Sequence, residues 1–100
     1  MASTKEEIID DIKSYIIKRE GGYSKWYVGI AEDAQKRLFE DHGVREEGNP
    51  WIYRTANSSS IAREVEEYFV NVMGTDGGLG GGGEDTKMVY AYKKQIYTDP

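Results

Sequence analysis

Lys25-Trp26-Tyr27-Val28-Gly29-Ile30-Ala31 is a run of largely aromatic, β-branched and small residues without helical period, and Glu32-Asp33-Ala34-Gln35-Lys36-Arg37-Leu38-Phe39-Glu40-Asp41 follows it directly. The first stretch reads as a strand. A glycine in a strand interior marks a bulge or a close approach by another group, so Gly29 singles out the middle of this strand. Asp33 is a helix cap by residue type. The helix it opens spans Ala34 to Asp41, turns Ala34, Leu38 and Phe39 inward, and stops at Gly43.

Working towards the N-terminus, Ile8, Ile9, Ile12, Tyr15 and Ile16 recur at three- and four-residue spacing. Ser3 and Thr4 precede them as caps, and Glu6 and Glu7 fall in the first turn. This predicts a helix from Thr4 to Lys18, ended by Gly21-Gly22. Working towards the C-terminus, Val44 to Pro50 is charged and closes in a Gly48-Asn49-Pro50 turn, and Trp51 to Ala56 reads as a second strand. Asn57 and three serines offer caps for a helix over Ser59 to Met73, with Ile61, Val65, Tyr68 and Val72 on one stripe. Seven glycines in eleven positions make 74–84 a loop. Lys87 to Lys93 alternates Met88, Tyr90 and Tyr92 against Val89 and Ala91, a third strand. Residues 95–100 carry no pattern and read as a fraying tail.

The order helix, strand, helix, strand, helix, loop, strand predicts an α+β domain, a small three-stranded sheet, mixed or antiparallel, carrying three packed helices. A chain of 100 residues has material for one core, so residues 1–100 are expected to form a single domain. The absence of cysteine excludes a disulfide scaffold and thiol chemistry and agrees with a reducing cytoplasm. No apolar stretch has the length of a membrane span, and a monomer is expected. A net charge of −5 argues against indiscriminate binding to nucleic acid, so such a partner needs a local site.

Tyr27-Val28-Gly29, the helix carrying Arg37 and then His42 resemble the second half of the GIY-YIG nuclease signature, and Ala62-Arg63-Glu64-Val65-Glu66-Glu67-Tyr68-Phe69-Val70 is similar to that family's later helix. The resemblance covers about residues 25–73. It implies a GIY-YIG-like fold in which Arg37 and Glu66 take the family's arginine and metal-binding glutamate, with His42 near the helix end. The family's first strand, GIY, is expected just before Tyr27. The segment at that distance, Lys13-Ser14-Tyr15, lies in a predicted helix, so the preferred occupant is Met88-Val89-Tyr90-Ala91-Tyr92, brought in from the C-terminal end in a rearranged strand order. Tyr90 or Tyr92 then approaches Tyr27 and Arg37.

On this resemblance the expected activity is metal-dependent hydrolysis of phosphodiester bonds in DNA or RNA. Glu66 would hold Mg²⁺ or Mn²⁺ with water completing the shell, Arg37 would grip a phosphate oxygen, and Tyr27 or Tyr90 would orient water. The alternative is a catalytically inactive module on the same scaffold, binding a protein or nucleic acid. Each residue also has an ordinary explanation. Arg37 is spaced to pair with Asp33 and Asp41 on its own helix, Glu66 lies beside the apolar stripe where solvated glutamates are common, the tyrosines suit half-buried strands, and His42 suits a helix C-terminus. Convergence of Tyr27, Arg37, Glu66 and a further tyrosine on one open cleft separates the enzyme from the inactive module.

Overall fold

The computed structural model describes residues 3–19, 22–78 and 83–100. Helix α1, Lys5–Lys18, starts at a capping box in which Thr4 and Glu7 satisfy each other's backbone N–H groups. Strand β1 is Trp26–Ala31. Helix α2 comprises Ala34–Lys36, capped by Asp33, and a widened π-helical turn over Arg37–Asp41. Strand β2, Trp51–Thr55, leads to α3, which is α-helical over Ser59–Glu67 with Ser58 as its cap and π-helical over Tyr68–Met73. Strand β3 is Met88–Lys93.

The sheet is antiparallel, and β3, the last strand in sequence, is its central one, in the order β1-β3-β2. Across this sheet Tyr92 lies between Tyr27 and Trp51, and Tyr90 between Gly29 and Tyr53. Strand alternation then sorts the side chains into two layers. Trp26, Val28 and Ile30 of β1, Ile52 of β2 and Val89 and Ala91 of β3 pack under α1 and α3. Tyr27, Ala31, Tyr90 and Tyr92 face the other way, against Ala34 and Leu38 of α2. Both faces of β1 are buried, which is why its sequence shows no polar alternation.

The expected helix over residues 4–18 is present, and Tyr15 lies on it and not in a strand of the sheet. Ile8, Ile12 and Ile16 are buried, each worth roughly 2–3 kcal/mol of apolar transfer. In α3 the buried stripe is rotated from the expected one. Ala62, Val65, Glu66 and Phe69 point inward, and Val72 is 68% exposed, because the widened last turn swings it off the packed face. The glycine-rich stretch is described only in part, its residues 79–82 lying outside the described residues. Its start runs along the edge of β1, where Asp76 exchanges backbone hydrogen bonds with Trp26 and Val28 at 2.9 and 3.0 Å. The 95–100 segment, read from sequence as a fraying tail, makes a turn between Gln95 and Thr98 and hydrogen-bonds His42 through the Asp99 N–H. Among the described residues no helix is long and apolar enough to cross a membrane.

Gly29 owes its identity to Tyr90. A Cβ at position 29 would lie 2.5 Å from the Tyr90 hydroxyl oxygen and 2.6 Å from the ring carbon bearing it. Tyr90 is 1% exposed, so the ring has little room to retreat. Gly29→Ala is therefore expected to cost about 1–3 kcal/mol of stability. Urea denaturation checks this, and an unchanged midpoint would show that the ring is free to move.

Candidate active site

Tyr90 projects from the central strand over Gly29, and two polar side chains meet its hydroxyl. His42 Nε2 lies 2.7 Å from the Tyr90 oxygen, and the Arg37 guanidinium approaches the same oxygen. Both residues are set by the widened end of α2, whose turn closes when the His42 N–H bonds the Arg37 carbonyl at 2.9 Å. Wide turns of this kind re-aim the side chains that follow them. Here Leu38 stays in the core, Arg37 lies at the mouth of a cleft, and the His42 ring enters the protein, 6% exposed. The sequence placed His42 at a helix C-terminus, and there its ring packs among Tyr27, Tyr90 and Tyr92.

The hydrogen atoms in this group follow from the partners. His42 Nδ1 lies 2.8 Å from the backbone carbonyl of Asp99. A carbonyl only accepts, so Nδ1 carries the hydrogen and, in the neutral ring, Nε2 presents its lone pair. Tyr90 O–H then donates to Nε2, with the Arg37 guanidinium near the same oxygen. Burial pushes the Tyr90 phenol well above its ordinary range, Tyr27 adds to this, and Arg37 opposes it. Tyr90 is thus a neutral phenol at physiological pH, already hydrogen-bonded to an acceptor for its proton.

Tyr27 is stacked beside Tyr92 and Tyr90, with ring centroids 5.3 and 6.2 Å away. Its pKa is also raised, first by burial and then by Glu66, against the lowering effect of Arg37 and of a Gly78 backbone hydrogen bond. Glu66 comes from α3. The sequence placed it beside the apolar stripe, where solvation is usual, yet it is 2% exposed. Burial pushes its carboxyl up to about 7, with Glu67 adding and Arg63 opposing.

Tyr27, Arg37, Glu66 and Tyr90, from four separate elements, line one cleft of about 440 Å³. His42 lies behind Tyr90. Glu32, Asp33 and Asp41 contribute carboxylates to the cleft and Lys36 a second cation. Arg37 also pairs with Asp41 at 3.4 Å, but with both side chains nearly half exposed this adds little. Tyr15 is elsewhere: its hydroxyl accepts the Trp51 N–H at 3.0 Å, and it borders a separate depression with Trp51, Tyr53 and Arg54.

Among the described residues no group of three or more His, Asp or Glu side chains gathers as a metal-binding cluster. A hard divalent cation that keeps most of its water needs no such cluster. One buried carboxylate on the wall of a roomy cleft fits a hydrated Mg²⁺ or Mn²⁺.

Two members of the site carry no sequence signal of their own. The Asp99 contact is made by a backbone carbonyl, a group that every residue has, and Gly78 reaches Tyr27 through its backbone. Compared with family models, with curated proteins and with solved structures, the chain matches none.

The raised Glu66 carboxyl has a consequence for folding. Between pH 4.5 and 7 the folded chain holds a proton that the unfolded chain has lost, so stability falls as pH rises through this window and levels off above it. Glu66→Gln removes the titration. In chelator, its stability relative to wild type is expected to rise by roughly 2–3 kcal/mol between pH 4.5 and pH 8. Melting curves across this range check it, and a constant difference would mean that Glu66 ionises as freely as a surface carboxylate.

Proposed function

We propose that this chain is a metal-dependent nuclease that cleaves phosphodiester bonds in DNA or RNA, a GIY-YIG-like enzyme whose strand with the first tyrosine stands last in the sequence. The observation that carries this reading is the meeting of Tyr27, Arg37, Glu66 and Tyr90 in one cleft, with the central strand supplying the Tyr90 that a strand around Tyr15 would have supplied in the family's order.

The chemistry follows from the groups present. The phosphate lies in the cleft with a non-bridging oxygen on Arg37, whose fork neutralises charge as the phosphorus becomes five-coordinate. A water directed at phosphorus is hydrogen-bonded by the Tyr90 oxygen. As the water attacks, its proton passes to that oxygen and the Tyr90 proton passes to His42 Nε2, so the phenol relays one proton without becoming a phenolate, while the bond from phosphorus to the leaving sugar oxygen breaks and that oxygen takes a proton from solvent. Tyr27 borders the same space and helps to orient the water. Mg²⁺ or Mn²⁺ at Glu66, when bound, supplies Lewis-acid polarisation of the phosphate. Only ionised Glu66 holds a cation well, so activity is expected to rise with pH through about 7 and then level off.

The three carboxylates of Glu32, Asp33 and Asp41 favour a second reading, in which the same scaffold binds a partner without cleaving it. One assay separates the two. Purified wild type, Glu66→Gln and Arg37→Ala are incubated with single- and double-stranded DNA and RNA in Mg²⁺ or Mn²⁺. Expected are metal-dependent cleavage by wild type, loss of it in Glu66→Gln, and a fall of about 10–100-fold in Arg37→Ala with less than about 1 kcal/mol change in stability. Equal activity in wild type and Glu66→Gln would contradict the enzyme reading, and binding without cleavage by wild type would establish the second.

A further inference from the structure

His42 lies between two phenols and has two self-consistent arrangements. Tyr90 Oη is 2.7 Å from Nε2, and Tyr92 Oη is 3.3 Å from Nδ1. With hydrogen on Nδ1, Nε2 accepts from Tyr90. With hydrogen on Nε2, the ring donates to Tyr90 and Nδ1 accepts from Tyr92. The two differ in the one respect that matters to the proposed reaction, because Tyr90 can discharge its proton onto Nε2 only in the first.

The tyrosines by themselves do not decide between them, since a phenol both donates and accepts. Asp99 does. Its carbonyl lies 2.8 Å from Nδ1, closer than Tyr92, and a carbonyl offers no hydrogen. The same residue is anchored from its other side, as its N–H donates to the His42 carbonyl at 2.7 Å. The approach to Asp99 is fixed too. Thr98 and Gln95 close a turn with three hydrogen bonds of 2.9 to 3.1 Å, and the Arg45 guanidinium lies 3.8 Å from the centre of the Tyr97 ring. A backbone segment about sixty residues beyond His42 thus grips that residue at its main chain and its ring together.

We propose that the 95–100 segment is a positioning strap that sets the histidine tautomer: the Asp99 carbonyl fixes hydrogen on His42 Nδ1 and keeps Nε2 free to accept from Tyr90. Its bearing on catalysis rests on the nuclease reading above; its bearing on the tautomer does not. Asp99 acts through His42 and is a positioning residue. Because it acts through its main chain, the Asp99 side chain is dispensable to it, and withdrawal of the segment would turn the ring into a donor towards Tyr90.

The test reads the tautomer directly by long-range ¹H–¹⁵N correlation of His42, the chain's only histidine, at a pH where the ring is neutral. Wild type is expected to show Nδ1 protonated and Nε2 bare. Full-length Tyr90→Phe, which retains the strap and removes the partner of Nε2, is expected to keep that pattern. Truncation after Thr98 is expected to move the hydrogen to Nε2, with Nδ1 accepting from Tyr92. If the truncated chain fails to fold, Tyr90→Phe decides alone, because a shift of its hydrogen to Nε2 would show that Tyr90 and not Asp99 sets the tautomer. An Nδ1–H pattern persisting in a folded truncation would overturn the proposal as well. Cleavage is measured on the same samples. A folded truncation that has exchanged tautomer and lost at least tenfold in turnover, with KM unchanged, supports the catalytic role, and full turnover with exchanged tautomer refutes it. Should wild type cleave nothing, the nuclease reading fails while the ¹⁵N pattern still tests the strap.

Discussion

The site depends on seating one tyrosine across a strand that has given up its side chain. Tyr90 leans from β3 over Gly29 of β1, and this single overlap brings a phenol from the last strand, an arginine from α2 and a histidine from the loop after α2 to one oxygen. The sheet order makes it possible, because only the central strand can present a residue that is covered from both neighbours. Once the ring is buried its hydroxyl needs partners, as an unsatisfied buried hydroxyl costs on the order of 1–3 kcal/mol. His42 and Arg37 meet that need. Stability and proposed chemistry therefore rest on the same contacts.

Glu66 presents the opposite balance. Nothing in the packing of α3 requires a carboxylate between Ala62 and Phe69, and its raised pKa shows that ionising it there is unfavourable. A glutamine or an apolar residue would suit the fold better. Such a residue, costly where it stands and open to a cleft, is a candidate for a functional site. Tyr27, which borders the same space, is itself perturbed by this charge.

Most of the architecture was legible in the sequence. The isoleucine period of α1, the cap candidates at Ser3 and Thr4, at Asp33 and over 57–60, and the apolar runs of three strands gave element types and nearly all boundaries, since each is a local signal. The placement of Met88–Lys93 beside Trp26–Ala31 followed from asking which strand was free to lie beside Tyr27, whereas its antiparallel direction was not legible, the sequence allowing a mixed or an antiparallel sheet. What was not legible is long-range or backbone-borne. The widened turns at the ends of α2 and α3 bury His42 and expose Val72, and they arise from tertiary packing that no period reveals. The burial of Glu66 depends on how far α3 rotates over the sheet. The grip of Asp99 on His42 uses only main-chain atoms and so leaves no trace in residue identity.

In the proposed reaction Tyr90 is the group through which a proton leaves the attacking water. Single-turnover cleavage by Tyr90→Phe in Mg²⁺ or Mn²⁺, with wild type alongside, measures this most directly, because the substitution removes one oxygen and keeps the ring that fills the space above Gly29. The account predicts a folded variant that retains substrate affinity and loses at least about 100-fold in the cleavage rate. Cleavage by Tyr90→Phe at the wild-type rate would contradict it.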